Sequence, residues 1–348
     1  MSKALTNMED FLAKYAPGTN DRFENRLDRY TYLKKGIDYA NSGLVLDAGI
    51  VQEYQNFGWD TTRQIKYPLI DKLVATINSG KLSTCEASVT EIDTAFGTVT
   101  SVFFNFEFTM KPADSYTNEV DYLNEYMTKY NANIRAWADS IDTLVATNVE
   151  GVANIYYPAA LQTLYWPDNV AGDAFLIPSA EVPTMYNYLQ GVMREMNWDT
   201  QTDRYDVIAN SKHYGTVQNL AQQGAGNSTN FGYQFDNTSP FFFSSSTKVP
   251  LGEAISEAAV LMVPNTFGIW NVNAPDVKRN SSTTDGKDWA TITDPMTGWE
   301  IGSLSSSKCI NAESLESYQF YTGVSFVSTY NSNPAGEYSP IIKLEIGV

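Results

Sequence analysis

The chain has 348 residues, of which 43% are hydrophobic, 13% aromatic and only 18% charged, and its formal net charge is −17. That apolar content supports one large or two intimately joined domains with a core and excludes a chain disordered throughout. The acidic balance excludes a protein whose main work is gripping a phosphate backbone, while a surface rich in Tyr, Asn, Ser and Thr but poor in charge suits protein contacts.

Residues 1–58 read as an N-terminal arm: short helical pieces broken by APGTND (16–21) and NSG (41–43). This is the basic end of an acidic chain. Lys3, Lys14, Arg22, Arg26, Arg29, Lys34 and Lys35 oppose five acidic residues over positions 1–35, which leaves −19 on the remainder. Two readings stand: a solvated helix face, or a segment that contacts an acidic neighbour. Residues 59–110 form an extended hairpin region with turns at INSGK (77–81) and AFG (95–97). It ends in a strand where Val102, Phe104, Phe106, Phe108 and Met110 alternate with Phe103, Asn105, Glu107 and Thr109.

The segment NEVDYLNEYMTKYNANIRAWADSIDTLVATN (118–148) departs from this extended pattern. Val120, Leu123, Met127, Tyr130, Ile134, Trp137, Ile141 and Leu144 step alternately by three and four, which predicts one helix with its core face along that stripe, roughly 38 Å long. Asn118 can cap its first turn, Glu119 and Asp121 suit the positive end of the dipole, and Gly151 can stop it. A zipper is the alternative. With Val120 at an a position, the flanking e and g positions hold a single charge, Glu119, while Asp121, Glu125, Lys129, Arg135, Asp139 and Asp142 take outer positions. That pattern predicts a single helix laid over a sheet.

Beyond it, a peripheral region (111–175) gives way to a helix containing Met185, Leu189, Val192 and Met196, with Pro183 near its first turn. RYDVIAN reads as a short buried strand, SKHYGTVQNLAQQG as a helix ending at Gly224, and strands follow near Tyr233, Phe241–Phe243 and Phe267–Val272. Residues 305–348 return to alternation: Tyr318, Phe320, Thr322, Val324, Phe326, Ser328 and Tyr330 share one parity. In IIKLEIGV the apolar Ile342, Leu344 and Ile346 alternate with Lys343, Glu345 and Gly347. The fold class is α+β.

No chemical constellation emerges. His213 is the one histidine, and it reads as a cap or surface residue. Cys85 and Cys309 lack metal spacing and, with no hydrophobic signal core after MSKALTNMEDFLAKY, are expected reduced in a cytoplasmically made protein. No apolar run is long enough for a membrane helix. The sequons at Asn227, Asn237 and Asn280 read as chance, QQGAGNSTNFG as an ordinary loop, and TTDGKDW (283–289) as a flexible turn. No catalytic, cofactor or metal residue is assigned and no cofactor is expected. Carboxylate pairs with aromatic platforms keep a glycan-active protein open as an alternative.

The order of basic arm, extended hairpin, long helix, α+β module and terminal strands resembles the major capsid protein of tailed double-stranded DNA bacteriophages, the Hong Kong 97-like fold. RYDVIANSKHYGTV, VPNTFGIWNVNAPD and DPMTGWEIG look like text from capsid proteins of phages infecting Bacteroidota. The resemblance implies an N-arm (1–58), an E-loop (59–110), a peripheral domain (111–175) with 118–148 as its spine helix, an axial domain (176–304) and C-terminal strands (305–348). It also implies a non-enzymatic shell of pentamers and hexamers in the virion around double-stranded DNA, with scaffold, portal and decoration proteins as partners and no membrane. Encapsulin-type shells and phage tail or baseplate proteins are the remaining alternatives.

Overall fold

The computed structural model describes residues 27–57, 60, 64–69, 96–112, 115–155, 175–178, 206–213, 241–245, 248–249, 258–272, 287–294, 296–310, 313–328 and 341–347. In chain order the main elements are α1 (Thr31–Asn41), α2 (Ala48–Phe57), β1 (Ile65–Pro68), β2 (Phe96–Val99), β3 (Ser101–Met110), α3 (Glu119–Ile155), β4 (Phe175–Pro178), β5 (Asp206–Asn210), β6 (Phe241–Ser244), β7 (Ala258–Met262), β8 (Phe267–Val272), β9 (Lys287–Thr293), β10 (Glu300–Ile310), β11 (Glu313–Ser328) and β12 (Ile341–Gly347). The chain divides into two compact units, one of Met1–Ile65, Val99–Thr147 and Phe267–Val327, the other of Lys66–Thr98, Asn148–Thr266 and Ser328–Val348.

In the first unit the strands run in the order β3-β11-β10-β9, with β8 also paired to β11. The β3–β11, β11–β10 and β10–β9 ladders are antiparallel, and Phe106 faces Phe320 while Phe108 faces Tyr318 across β3 and β11. Because side chains alternate along a strand, this register gathers Phe106, Phe108 and Met110 with Tyr318 and Phe320 on one face. Phe106 stacks on Phe320 at 4.9 Å, and Phe108 on Tyr318 at 5.5 Å. On the opposite face Glu107 accepts hydrogen bonds from Ser317 and Gln319.

The segment expected as an arm enters this core. Tyr32, Leu33, Ile37 and Tyr39 of α1 are buried, and a Cβ at Gly36 would lie 2.8 Å from Ile269 Cγ2 of β8. Only glycine permits so close an approach. The helices α1 and α2 therefore belong to the first unit. The basic residues divide accordingly. Lys35 is buried with its Nζ 5.6 Å from the Tyr39 ring centre, Lys34 pairs with Asp28, and Arg29 is exposed, whereas Lys3, Lys14, Arg22 and Arg26 lie outside the described residues.

The second unit holds a sheet in the order β4-β12-β7-β5-β6. β12 pairs parallel to β4 and antiparallel to β7, and β5 pairs parallel to β6 and antiparallel to β7. All five residues of β5 are buried. β12 departs from the expected polar face: Lys343 is 2% and Glu345 4% exposed. Their charges are matched instead of solvated, since Lys343 Nζ lies 2.7 Å from Glu345 Oε1 and 3.0 Å from Glu150 Oε1. Burial pulls the Lys343 ammonium pKa down, but these two carboxylates more than reverse it.

Further expectations shift. Gly151 lies inside α3, which continues to Ile155. One glycine costs about 1 kcal/mol in a helix, too little to end one whose neighbour Val149 is fully buried. Residues 267–327, expected to be split between an axial domain and C-terminal strands, belong to the first unit because β8, β10 and β3 all pair with β11. Lys287–Trp289, expected in a turn, begin β9. The hairpin tip at 70–95, the helix expected at 183–197, the part after His213 of the helix expected at 211–224, and the glycine-rich loop at 224–232 lie outside the described residues.

Candidate functional site

The longest helix is the feature around which a functional surface can be built. Asn118 Oδ1 accepts the Asp121 amide at 2.9 Å, closing the first turn as its side chain allows. Of the expected core face, Tyr130, Ile134, Trp137 and Ile141 are buried, Leu123, Met127 and Leu144 are half-buried, and Val120 is 57% exposed. The residues buried instead are Tyr122 and Tyr126 at one end and Ala138, Val145 and Val149 at the other. The reason is geometric. Tyr122, Tyr126, Tyr130, Ile134 and Ala138 advance by four, so the buried face turns by about 40° at each step. It follows the inclined i+4 row that packs a helix at an angle over the layer beneath. A three-four alternation describes the seam of a supercoil, from which a straight helix drifts by roughly 20° per heptad.

Three tyrosines anchor the start of this helix. Tyr122 OH lies 2.8 Å from Glu316 Oε2 and 2.6 Å from Tyr318 OH, and Tyr318 OH also donates to Glu316 Oε2 at 2.8 Å. Tyr116 OH donates to Glu125 at 2.8 Å, and Glu125 pairs with Lys129 at 2.7 Å. Lys129 and Tyr116 together hold the Glu125 carboxyl below its ordinary range. Burial, followed by the Glu125 bond, pushes the Tyr116 hydroxyl up to about 12. Burial likewise raises Tyr122 and Tyr318, with Glu316 adding to it. The hydroxyls are thus fixed as neutral donors. Such a cluster glues α3 to β11; it offers no activated nucleophile.

Farther along, Asp142 was expected on the outer face and is fully buried. Its Oδ1 accepts the Leu33 amide at 2.8 Å. Leu33 lies in the first turn of α1, where no cap comes from the Tyr30 side chain, so a carboxylate 109 residues away supplies the missing acceptor. Tyr30 OH donates to Arg135 O beside it, at 3.3 Å.

Part of the outward side of this unit is apolar. β3 ends its strand order, with Val102 40% and Phe103 41% exposed, and Phe57 and Leu44 are exposed in the same unit. Ser101 Oγ to Tyr54 OH, 3.3 Å, brings the start of β3 against α2, whose last residue is Phe57. Lys129 Nζ bonds the Thr109 carbonyl, tying the far end of β3 to α3. On the outer side of α3, Thr128, Ser140, Thr143 and Thr147 each turn their hydroxyl onto the carbonyl four residues back. His213 closes a 3-10 turn and Cys309 lies in β10. Among the described residues no cluster of His, Cys, Asp or Glu could hold a metal ion, and no helix is long and apolar enough to cross a membrane.

No protein-family model and no curated protein matches the chain. Among solved structures it is similar to one from Microbacterium phage Oxtober96, at 6% identity over 82% of this chain and 86% of the other with a TM-score of 0.43. A structure from Mycobacterium phage Bobi matches at 11% identity over 86% and 90%, TM-score 0.42. The capsid of Myoviridae Phage XM1 matches at 11% identity over 82% and 84%, TM-score 0.38. Likenesses this loose assign neither a fold nor a role.

Proposed function

We propose that this chain is a structural shell subunit, a major capsid protein of a tailed double-stranded DNA phage with the Hong Kong 97-like arrangement, with a phage of Bacteroidota as its source. The observation that carries the reading is α3: 37 residues, clamped on one side to the β3/β11 sheet by aromatic contacts, with a polar face of hydroxyl-bearing and charged residues, Asp121 and Asp139 among them, on the other. A long strut on a sheet keeps a subunit stiff, and a chain with only 18% charged residues leaves uncharged area through which copies can meet. In this reading α3 is the spine helix, residues 59–95 supply the E-loop, and the arm is confined to the residues before about position 30. It docks on a neighbouring subunit through Lys3, Lys14, Arg22 and Arg26. Pentamers and hexamers close a virion shell around the genome, with scaffold, portal and decoration proteins as partners, and the subunit itself catalyses nothing.

The test is to express the full chain alone and with its neighbouring phage genes, and to follow it by sedimentation and negative-stain microscopy. Capsomers or closed particles are expected. A stable monomer under both conditions, or glycan cleavage by the purified protein, overturns the proposal, and particles filled with a protein cargo instead of DNA point to an encapsulin.

A further inference from the structure

The tyrosines at the start of α3 differ in what their hydroxyls can do with a proton, and packing makes no use of that difference. Tyr130, Tyr126, Tyr318 and Tyr122 are all buried. The rings of Tyr130 and Tyr126 lie 6.5 Å apart, Tyr126 meets Tyr318 edge-on at 5.1 Å, and Tyr318 OH is 2.6 Å from Tyr122 OH. The Tyr122 ring in turn meets Tyr116 edge-on at 5.3 Å. The row therefore leads from the core to Tyr116, which is half-buried in the turn before α3.

Along this row the hydrogen bonds are graded. Tyr130 OH is buried without one. Tyr122 and Tyr318 share a single carboxylate oxygen, Glu316 Oε2, at 2.8 Å each. Tyr116 has a carboxylate to itself: its OH donates to Glu125 Oε2 at 2.8 Å, while Lys129 Nζ holds the other oxygen, Oε1, at 2.7 Å. The grading decides one-electron chemistry. A phenol that loses an electron becomes a strong acid, so it is readily oxidised only where a base already holds its hydrogen bond and takes the proton in the same step. In a buried site with no acceptor, the charge that would be left behind is prohibitive.

We propose that Tyr116 is an oxidation site of this protein, the outlet at which a one-electron hole formed in the tyrosine row comes to rest. Tyr130 cannot hold it, because no acceptor takes its proton. Tyr122 and Tyr318 have Glu316 between them but are closed off from solvent. At Tyr116 the phenol gives its electron to the oxidant and its proton to Glu125, leaving a neutral tyrosyl radical, a carboxylic acid and the reduced oxidant. Glu125 is only half-buried and returns its proton to water. A thiol in solution then gives the radical a hydrogen atom, which restores the phenol and leaves a thiyl radical. Oxidation is thus drawn away from the rings that hold α3 to the sheet, whether or not the chain builds a shell.

The test oxidises the full-length chain with a photogenerated ruthenium(III) polypyridyl complex, a one-electron oxidant, in the presence of a nitroso spin trap, and maps the adducts by peptide mass spectrometry. Wild type, Glu125→Gln and Tyr122→Phe are compared in ordinary and deuterated buffer, with a melt of each to establish that it is folded. Tyr116 is expected to carry most of the label found within the row. Its yield should drop in deuterated buffer, because the proton moves with the electron. Glu125→Gln keeps a hydrogen-bond acceptor but takes no proton, so the Tyr116 yield should fall several-fold and lose its sensitivity to deuterium, a change that a merely structural contact does not produce. Tyr122→Phe leaves the Tyr116–Glu125 bond in place and should lower the yield by a smaller factor, since holes formed deeper in the row lose their path. If Glu125→Gln does not fold, the isotope comparison on the wild type decides. The proposal is overturned by an unlabelled Tyr116, by a wild-type yield that deuterium leaves unchanged, by Glu125→Gln labelled as the wild type is, or by a Tyr116 yield that Tyr122→Phe does not alter.

Discussion

Between Tyr122 and Tyr130 the long helix buries three phenol rings over an aromatic sheet, with Tyr122 bonded to a carboxylate, whereas between Ile134 and Val149 it buries one indole, Trp137, and otherwise Ile, Ala and Val around the single carboxylate of Asp142. The first half uses wide side chains with polar tips: Tyr126 meets Phe108 edge-on at 5.3 Å, and Tyr130 meets Phe320 likewise. Phenol rings fill the space above a sheet and still end in a donor that can reach Glu316. Apart from Trp137, the second half uses short aliphatic chains, and it spends its one buried charge on the open end of another helix. One helix thus carries two ways of reconciling burial with hydrogen bonding: polar tips on apolar bodies, or a fully apolar face around one matched charge.

That contrast can be broken most severely in the aliphatic half. Ile134→Asp places an unpartnered carboxylate at a fully buried site, with an expected loss of at least about 4 kcal/mol and insoluble or unfolded protein on expression. Lys343→Met, at the end where α3 contributes Glu150, should come next at about 3–5 kcal/mol, because two carboxylates stay buried without their cation. A shift of the urea midpoint smaller than about 1 kcal/mol would show that the ammonium is dispensable. Asp142→Ala is expected to cost about 1–3 kcal/mol and to speed exchange of the Leu33 amide, with Asp142→Asn milder in both respects; unchanged Leu33 exchange removes the cap from the account.

The aromatic half should respond more gently. Tyr122→Phe removes one hydroxyl but keeps the ring, for about 1 kcal/mol by denaturant titration, and a double-mutant cycle with Tyr318→Phe should show coupling. This half also has its own pH signature. Tyrosines whose folded pKa lies above the unfolded value contribute stability below pH about 10 that is lost as pH rises toward the folded values. With Tyr116 pushed up to about 12, alkaline melts should fall across that window, and Tyr116→Phe should flatten the fall. Val120→Asp makes the smallest change, within about 0.5 kcal/mol, since Val120 faces solvent.

The sequence made the local periods legible and left the long-range pairings dark. Alternation located β3 and β11, because a period of two is a property of adjacent residues, and the run RYDVIAN located the buried strand β5. It also located the helix and its central stripe, Tyr130 to Ile141. It failed where a distant partner decides: Asp142 is an outer residue by local pattern and an inner one because Leu33 needs an acceptor. Lys343 and Glu345 read as solvent-facing until Glu150 is brought to them. The Tyr122 network had one visible signal, a run of tyrosines four apart at 122, 126 and 130, which a heptad reading sets aside. Gly36 likewise looks like a flaw in a helix until Ile269 is found against it.

The strand orders carry a consequence for how the protein comes into being. Residues 101–110 are held in the first unit by pairing with 316–325, and β12 occupies an inner position of the second sheet. At about 5–20 residues per second, a ribosome takes roughly 10–40 s to pass from β3 to its partner. Throughout that interval Phe103, Phe104, Phe106 and Phe108 have no strand from β11 beside them, nor does α3 have the sheet it will cover. The nascent chain has to wait with this aromatic strand unpaired, and an exposed apolar strand edge is a site of association until its partner is made.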